Sequence, residues 1–279
     1  MKERMVIQDS LNENKLTGLV RLVRKIVKGT LVVEGVGAVF LSFQFIPQFG
    51  IGKGLAVSVF TSVSAFCNAG IDIIAMDSLV AYHGNVLVNV VVMFLIISGG
   101  IGYTVWWDII TQIKRAVREK RVSKKIFAKL TLHSKVVLFM TVFLLISGAC
   151  VFFIMEYHNP LTMKDFSLKD KILASFFQAT TIRTAGFMTI DQNAMTVPSQ
   201  FLSVIYMFIG GSPAGTAGGV KTSTVGIVIL LVVSVVRGKE NVEAFRRTVS
   251  YETVQKAVSY THLDVYKRQS YYLLDFWML

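Results

Sequence analysis

Two short stretches of this chain carry the residue types from which a backbone-built cation site can be made. "FTSVSAFCNAGID" covers Phe60–Asp72 and "FFQATTIRTAGFM" covers Phe176–Met188. Set at a constant shift of 116 residues, their Ala-Gly pairs, Ala69-Gly70 and Ala185-Gly186, coincide. A dehydrated alkali cation must have its water replaced by several oxygens at short range, and rings of backbone carbonyls do this without fixed charge. Such carbonyls need unusual φ and ψ, which glycine adopts at least steric cost. Gly70 and Gly186 are therefore the leading candidates. Cys67, Asn68 and Ala69 in one copy, with Arg183, Thr184 and Ala185 in the other, flank them as contributors. Arg183 is costly at membrane depth; it either anchors its loop to carbonyls or reaches the outer surface. A third stretch, "FIGGSPAGTAGGVKTST" from Phe208 to Thr224, places five glycines, one proline and Lys221 between two apolar runs. Its Ser212, Pro213, Ala214, Gly215, Thr216, Ala217, Gly218, Gly219, Val220, Lys221 and Thr222 suit irregular backbone lying across a water-filled cavity, a candidate gate.

The elements that must position these stretches are legible in composition. Of 279 residues, 53% are hydrophobic and only 16% charged, against about 25% charged in a soluble domain. Runs at Gly29–Ile46, Asn85–Trp107 and Val136–Met155 each approach the roughly 20 residues that cross a bilayer as a helix. The fourth, Phe201–Val236, is interrupted. Segments Leu55–Phe66 and Leu168–Thr181 are too short to cross and are expected to dip in and return as helices. Their negative dipole ends then favour a cation. The repeating unit is helix, re-entrant segment, glycine loop, helix, at about 29–106 and 133–236. "MFLIISGGIG" (Met93–Gly102) also resembles "MFIGGSPAG" (Met207–Gly215). An all-α integral membrane fold with two parallel repeats follows.

Charge supplies orientation. The net charge is +12, and Lys114–Lys129 holds eight basic residues against one Glu. A second basic group spans Arg237–Arg247, and a third, Arg21 to Lys28, precedes the first run. Basic residues collect in cytoplasmic loops, so 1–28, a basic loop at 107–132 and a segment at 237–258 are expected inside. Membrane lipid or a cytoplasmic protein suits these charges better than nucleic acid. Cys67 and Cys150 are far apart in apolar surroundings and read as small buried hydrophobes. His83, His133, His158 and His262 form no metal-ligand spacing, and "GTAGGVKTST" lacks the spacing of a phosphate-binding loop. An enzyme is not expected. Asp72 and Asp191, beyond the two glycine loops, suit attraction of cations to an outer mouth. Broken, glycine-rich helices also build sites for small organic solutes, which stands as the alternative to an inorganic cation.

"SAFCNAGID", "TTIRTAGFMTID" and "FIGGSPAGTAGGVKTST", in this order, resemble the Trk/Ktr/HKT superfamily of potassium transporters, most nearly the bacterial KtrB-type membrane subunit. The resemblance implies a potassium-channel-like fold of four helix–pore loop–helix repeats, of which this chain carries the second and third. It implies potassium uptake across the bacterial plasma membrane, often stimulated by sodium. Residues 67–70 and 183–186 are then selectivity-filter segments, and 212–224 an intramembrane gate loop. The implied partners are a second copy of the subunit and a cytosolic KtrA-type ring that binds NAD(H), ATP or ADP. With two of four repeats, the chain alone is expected to be inactive. "SYTHLDVYKRQ" from Ser259 resembles translated sequencing adapter, so 259–279 is read as a non-native tail.

Overall fold

The computed structural model describes residues 19–74, 78–119 and 126–238, together with the short pairs 243–244 and 247–248. In hydrocarbon a backbone must satisfy its own polar groups, which favours helices, and helices dominate. Helix α1 is Leu19–Phe49 and α2 is Ile51–Phe66; α3 is Val86–Ile101 and α4 is Tyr103–Arg118. The short α5 is Ile126–Lys129, α6 is Leu132–Glu156 and α7 is Leu168–Thr181. Last come α8, Val197–Phe208, and α9, Thr222–Val236. A minimal hairpin pairs Glu243–Ala244 with Arg247–Thr248. The sequence segments 1–18 and 249–279, including the suspected tail, lie outside the described residues.

Among the described residues, two helices are long and apolar enough to cross a membrane, in Leu22–Phe49 and Leu132–Glu156. A third crossing was expected over Asn85–Trp107, but it is not straight. Helix α3 ends at Ile101, and α4 leaves at 100°. Gly102 makes the corner with φ 89°, and a Cβ there would run into the Pro213 carbonyl oxygen. The basic segment expected as a loop from residue 107 therefore begins as helix. Trp106 and Trp107 stand near its start and Arg115 and Arg118 in its last turn, a distribution suited to lying along an interface. Asp108 ties α4 to the start of α6. Its Oδ2 accepts from Thr131 N and Oγ1, both at 2.9 Å, and from Ser134 Oγ at 2.6 Å.

The connection from α1 to α2 is equally abrupt. Helix α1 runs through Pro47, and only Gly50, φ 80°, separates it from α2. No polar linker intervenes. A Cβ at Gly54 would lie 2.6 Å from Ile46 Cα and from Phe45 O, so glycine lets α2 fold straight back onto α1. In the second copy a longer loop, 157–167, does the same work, with Ser167 capping α7. Ser167 Oγ accepts from Asp170 N at 3.2 Å and donates to Asp170 Oδ2 at 2.7 Å, which holds that carboxyl below its ordinary range.

The core of the first copy (Leu41, Phe45, Val57, Phe66, Leu95) also contains Phe177 and Phe187 from the second. The second copy packs around Phe152, Met163, Ala174, Ile182 and Ile190. Both cysteines are free and exposed rather than buried, because Cys67 follows α2 at a loop and Cys150 faces outward on α6. One buried carboxylate orders the loops that follow α6 and precede α8. Glu156 accepts from Thr162 Oγ1 and Asn159 Nδ2 at 2.7 Å each, Thr196 N at 2.9 Å and Thr196 Oγ1 at 2.8 Å. Glu156→Ala removes a charged acceptor from four donors. It is expected to destabilise the chain by about 3 kcal/mol or more, read as a lowered midpoint of thermal unfolding in detergent, with Glu156→Gln losing less.

Candidate functional site

Each re-entrant helix ends where its glycine loop begins: α2 at Phe66 and α7 at Thr181. The next residues continue one more turn, with Cys67 N donating to Val63 O and Ile182 N to Gln178 O. The loops then share an uncommon backbone. Asn68 has φ 52° and Gly70 φ 66°; Thr184 has φ 68° and Gly186 φ 87°. Positive φ is rare outside glycine, so finding Asn68 and Thr184 at equivalent positions marks one conformation built twice. Alternation in the sign of φ turns successive peptide groups in a way a uniform strand cannot.

A side-chain hydroxyl fixes the far end of each loop, a feature the sequence reading missed. Ser64 Oγ donates to Ile71 O at 2.6 Å, and Thr181 Oγ1 donates to Phe187 O at 2.6 Å. Ile71 and Phe187 are the residues directly after the two glycines. The signal was a hydroxyl in the last turn of each re-entrant helix, unremarkable without its partner. The two loops meet at the glycines themselves. A Cβ at Gly70 would lie 2.5 Å from Ala185 O and 2.6 Å from Gly186 Cα, and one at Gly186 3.0 Å from Gly70 Cα.

The interrupted run behaves as two half-helices, α8 and α9, with an irregular loop over 209–221; Thr222, expected in the loop, is instead the first residue of α9. The loop closes on itself through Gly210 N to Val220 O (3.1 Å), Gly211 N to Gly218 O (3.2 Å) and Val220 N to Phe208 O (2.9 Å). A Cβ at Gly210 would strike the Gly218 carbonyl, so this contact needs glycine. Lys221 Nζ donates to Ala217 O at 3.1 Å, within the loop.

The loop docks on both glycine loops at the same equivalent residue. Thr216 Oγ1 lies 3.2 Å from the Asn68 side-chain amide and donates to Phe66 O at 2.9 Å. Gly218 N donates to Thr184 Oγ1 at 2.9 Å. Arg183 is buried and its Nη2 reaches Gly210 O at 3.4 Å. Of the two roles open to it, the structure has the anchor to a carbonyl, made to the loop below. On its other side the loop is joined to the broken end of α3. Ser212 N donates to Gly100 O (2.8 Å), Thr216 N to Gly99 O (3.1 Å), and Tyr103 N to Ala214 O (3.0 Å). An enclosed cavity of about 10 Å³ remains between loop and glycine segments, lined by Asn68, Ile96, Gly100, Arg183, Gly211 and Ala217. That is room for about one water.

Asp72 and Asp191 lie beyond the glycines and make local turns, Asp72 accepting from Ile74 N at 3.4 Å and Asp191 from Asn193 N at 2.9 Å. The structure thus brings together residues 67–70, 183–186 and 210–221. The Gly99–Gly102 break was foreshadowed only by the likeness of Met93–Gly102 to Met207–Gly215.

Two short helices that end in matched glycine loops, packed against a broken helix, belong to an all-α membrane fold. The sequence model of the family described as TrkH, cation transport protein, matches residues 1–265, and the chain belongs to that family. It is 40% identical to the potassium/sodium uptake protein NtpJ of Enterococcus hirae over 92% of this chain and 54% of that protein. It is 36% identical to the Ktr system potassium uptake protein B of Bacillus subtilis, over 93% of this chain and 55% of that protein. The fold matches the potassium transporter TrkH of Vibrio parahaemolyticus with a TM-score of 0.69 at 17% identity, over 93% of this chain and 52% of that one. The chain spans about half the length of these relatives.

Thr184→Val keeps the shape of the side chain but removes the acceptor of Gly218 N. Hydrogen exchange at Gly218 and its neighbours is expected to speed up about tenfold, the equivalent of roughly 1.4 kcal/mol for one hydrogen bond, while exchange in α7 stays unchanged.

Proposed function

We propose that this chain lines part of a potassium uptake pathway, with the backbone of residues 67–70 and 183–186 as filter and the loop 212–221 as gate. One observation carries the reading. The two loops repeat an unusual left-handed backbone at Asn68/Gly70 and Thr184/Gly186, and the loop beneath bonds the same position in both. Backbone carbonyls replace the ion's hydration without fixed charge. The ends of α2 and α7 add negative dipole ends close by. The names of the relatives, potassium or potassium/sodium uptake proteins, support potassium as cargo and sodium as a second or stimulating ion.

The water-sized space between loop and filter corresponds to a closed gate. Opening requires release of Thr216 and Gly218 from the two glycine loops, together with the contacts to Gly99 and Gly100. The Ktr system naming of relatives supports a multi-component assembly: a second copy of the subunit and a cytosolic nucleotide-binding ring of KtrA type, reached from the basic side. By the same charge asymmetry the protein sits in the bacterial plasma membrane with Arg24, Lys25 and Lys28 inside.

The test is rescue of a potassium-uptake-deficient bacterium on low potassium by a full-length four-repeat protein that carries this sequence as its second and third repeats. Gly70→Ser and Gly186→Ser each put a side chain where the loops touch, and are expected to lower the preference for rubidium over sodium by about tenfold. Unchanged preference in both would sink the filter assignment. Deletion of 214–219 removes Thr216 and Gly218 and is expected to raise rubidium flux; lower or equal flux in a protein that reaches the membrane would count against the gate.

A further inference from the structure

A second pocket, of about 350 Å³, lies away from the filter between α1 and α4. Lys25 and Lys28 stand on its α1 wall, with Trp106, Trp107 and Tyr103 opposite and Phe66 among its lining. Lys25 Nζ sits 5.9 Å from the centre of the Trp107 ring. No carboxylate is among the lining residues, so nothing within the pocket neutralises its two ammonium groups. The two indoles differ. Trp106 Nε1 donates to Ser98 O at 2.9 Å, whereas Trp107 Nε1 is buried without an acceptor.

We propose that this pocket binds one anionic phospholipid of the basic-side leaflet, its phosphate on Lys25 and Lys28 and an acyl chain along Val32 and Ile110. Three features favour a lipid over a soluble anion. Val32 lines the pocket yet is 64% exposed, continuous with the outward apolar stripe of Val36 and Val39. Aromatic residues at such a wall hold the depth of a membrane interface. The positive end of the pocket meets the surface where anionic headgroups concentrate basic residues.

The location gives the lipid a route to the loop. Phe66 O accepts from Thr216, and Tyr103 N donates to Ala214. Two lining residues therefore hold the loop by their backbones, and lipid occupancy braces that side of it. This consequence rests on the gate reading; the binding does not.

Native mass spectrometry of the full chain, released from detergent with equal amounts of phosphatidylglycerol and phosphatidylcholine, tests the site. The expected result is retention of one phosphatidylglycerol, about tenfold preferred. That preference is expected to vanish in Lys25→Gln/Lys28→Gln and to persist in Lys25→Arg/Lys28→Arg. Gly29→Leu should block binding without changing charge, since a Cβ at Gly29 would sit 3.8 Å from Trp107 Cζ2, in open contact rather than collision. Excess glycerol phosphate should not displace the lipid. Equal retention of phosphatidylcholine, full retention in the Gln variant, or displacement by glycerol phosphate would each overturn the proposal. The Gln variant changes only exposed side chains, so it tests the site even where Gly29→Leu fails to fold.

Discussion

Backbone at membrane depth has no water to turn to, and the whole inner half of this protein is arranged around that shortage. Two helices break at the same level, and each break would leave amides and carbonyls stranded. The solution is exchange. In an unbroken α3, Tyr103 N would bond Gly99 O; here Tyr103 N goes to Ala214 O, and Gly99 O takes Thr216 N instead. The break in one helix thus satisfies the break in the other. Glycine at 99 and 102 is what allows the approach, because a Cβ at Gly99 would collide with Phe66 O and one at Gly102 with Pro213 O. Neither interruption is viable at this depth without its counterpart.

The same exchange explains why the glycine loops and the loop beneath form one unit. Thr216 uses its amide on α3 and its hydroxyl beside Asn68 and Phe66, so a single residue joins the broken end of α3, the end of α2 and the first glycine loop. Gly218 does the corresponding work at Thr184 with its backbone alone. Charge takes little part. Arg183 and Lys221 both donate to carbonyls of the loop, tightening it from either end.

Much of this was legible in the residues. Helix α7 runs over Leu168–Thr181, the span read from its amphipathic pattern, and the 116-residue shift found Asn68 and Thr184 before their shared φ was known. What escaped were features that depend on a partner distant in sequence. Asn85–Trp107 looked like a continuous crossing because its residues are apolar throughout; only contact with Pro213 and Ala214 makes Gly102 a corner. Glu156 and Asp108 passed unnoticed because a carboxylate near a helix end is common, and its meaning lies in the hydroxyls and amides gathered from other loops.

Phe177 and Phe187 of the second copy are built into the core of the first. They bracket the second glycine loop, one on the re-entrant helix before it and one just after it. Spacing between the two glycine loops is therefore set by close-packed aromatic side chains, which resist small displacements, while the loop beneath is held by hydrogen bonds that can be exchanged one at a time. Stiffness and pliancy are assigned to different materials. Substitutions in the aromatic contacts and in the hydrogen bonds of the loop then act on separate properties, the first on the spacing of the glycine loops and the second on how far the loop can shift.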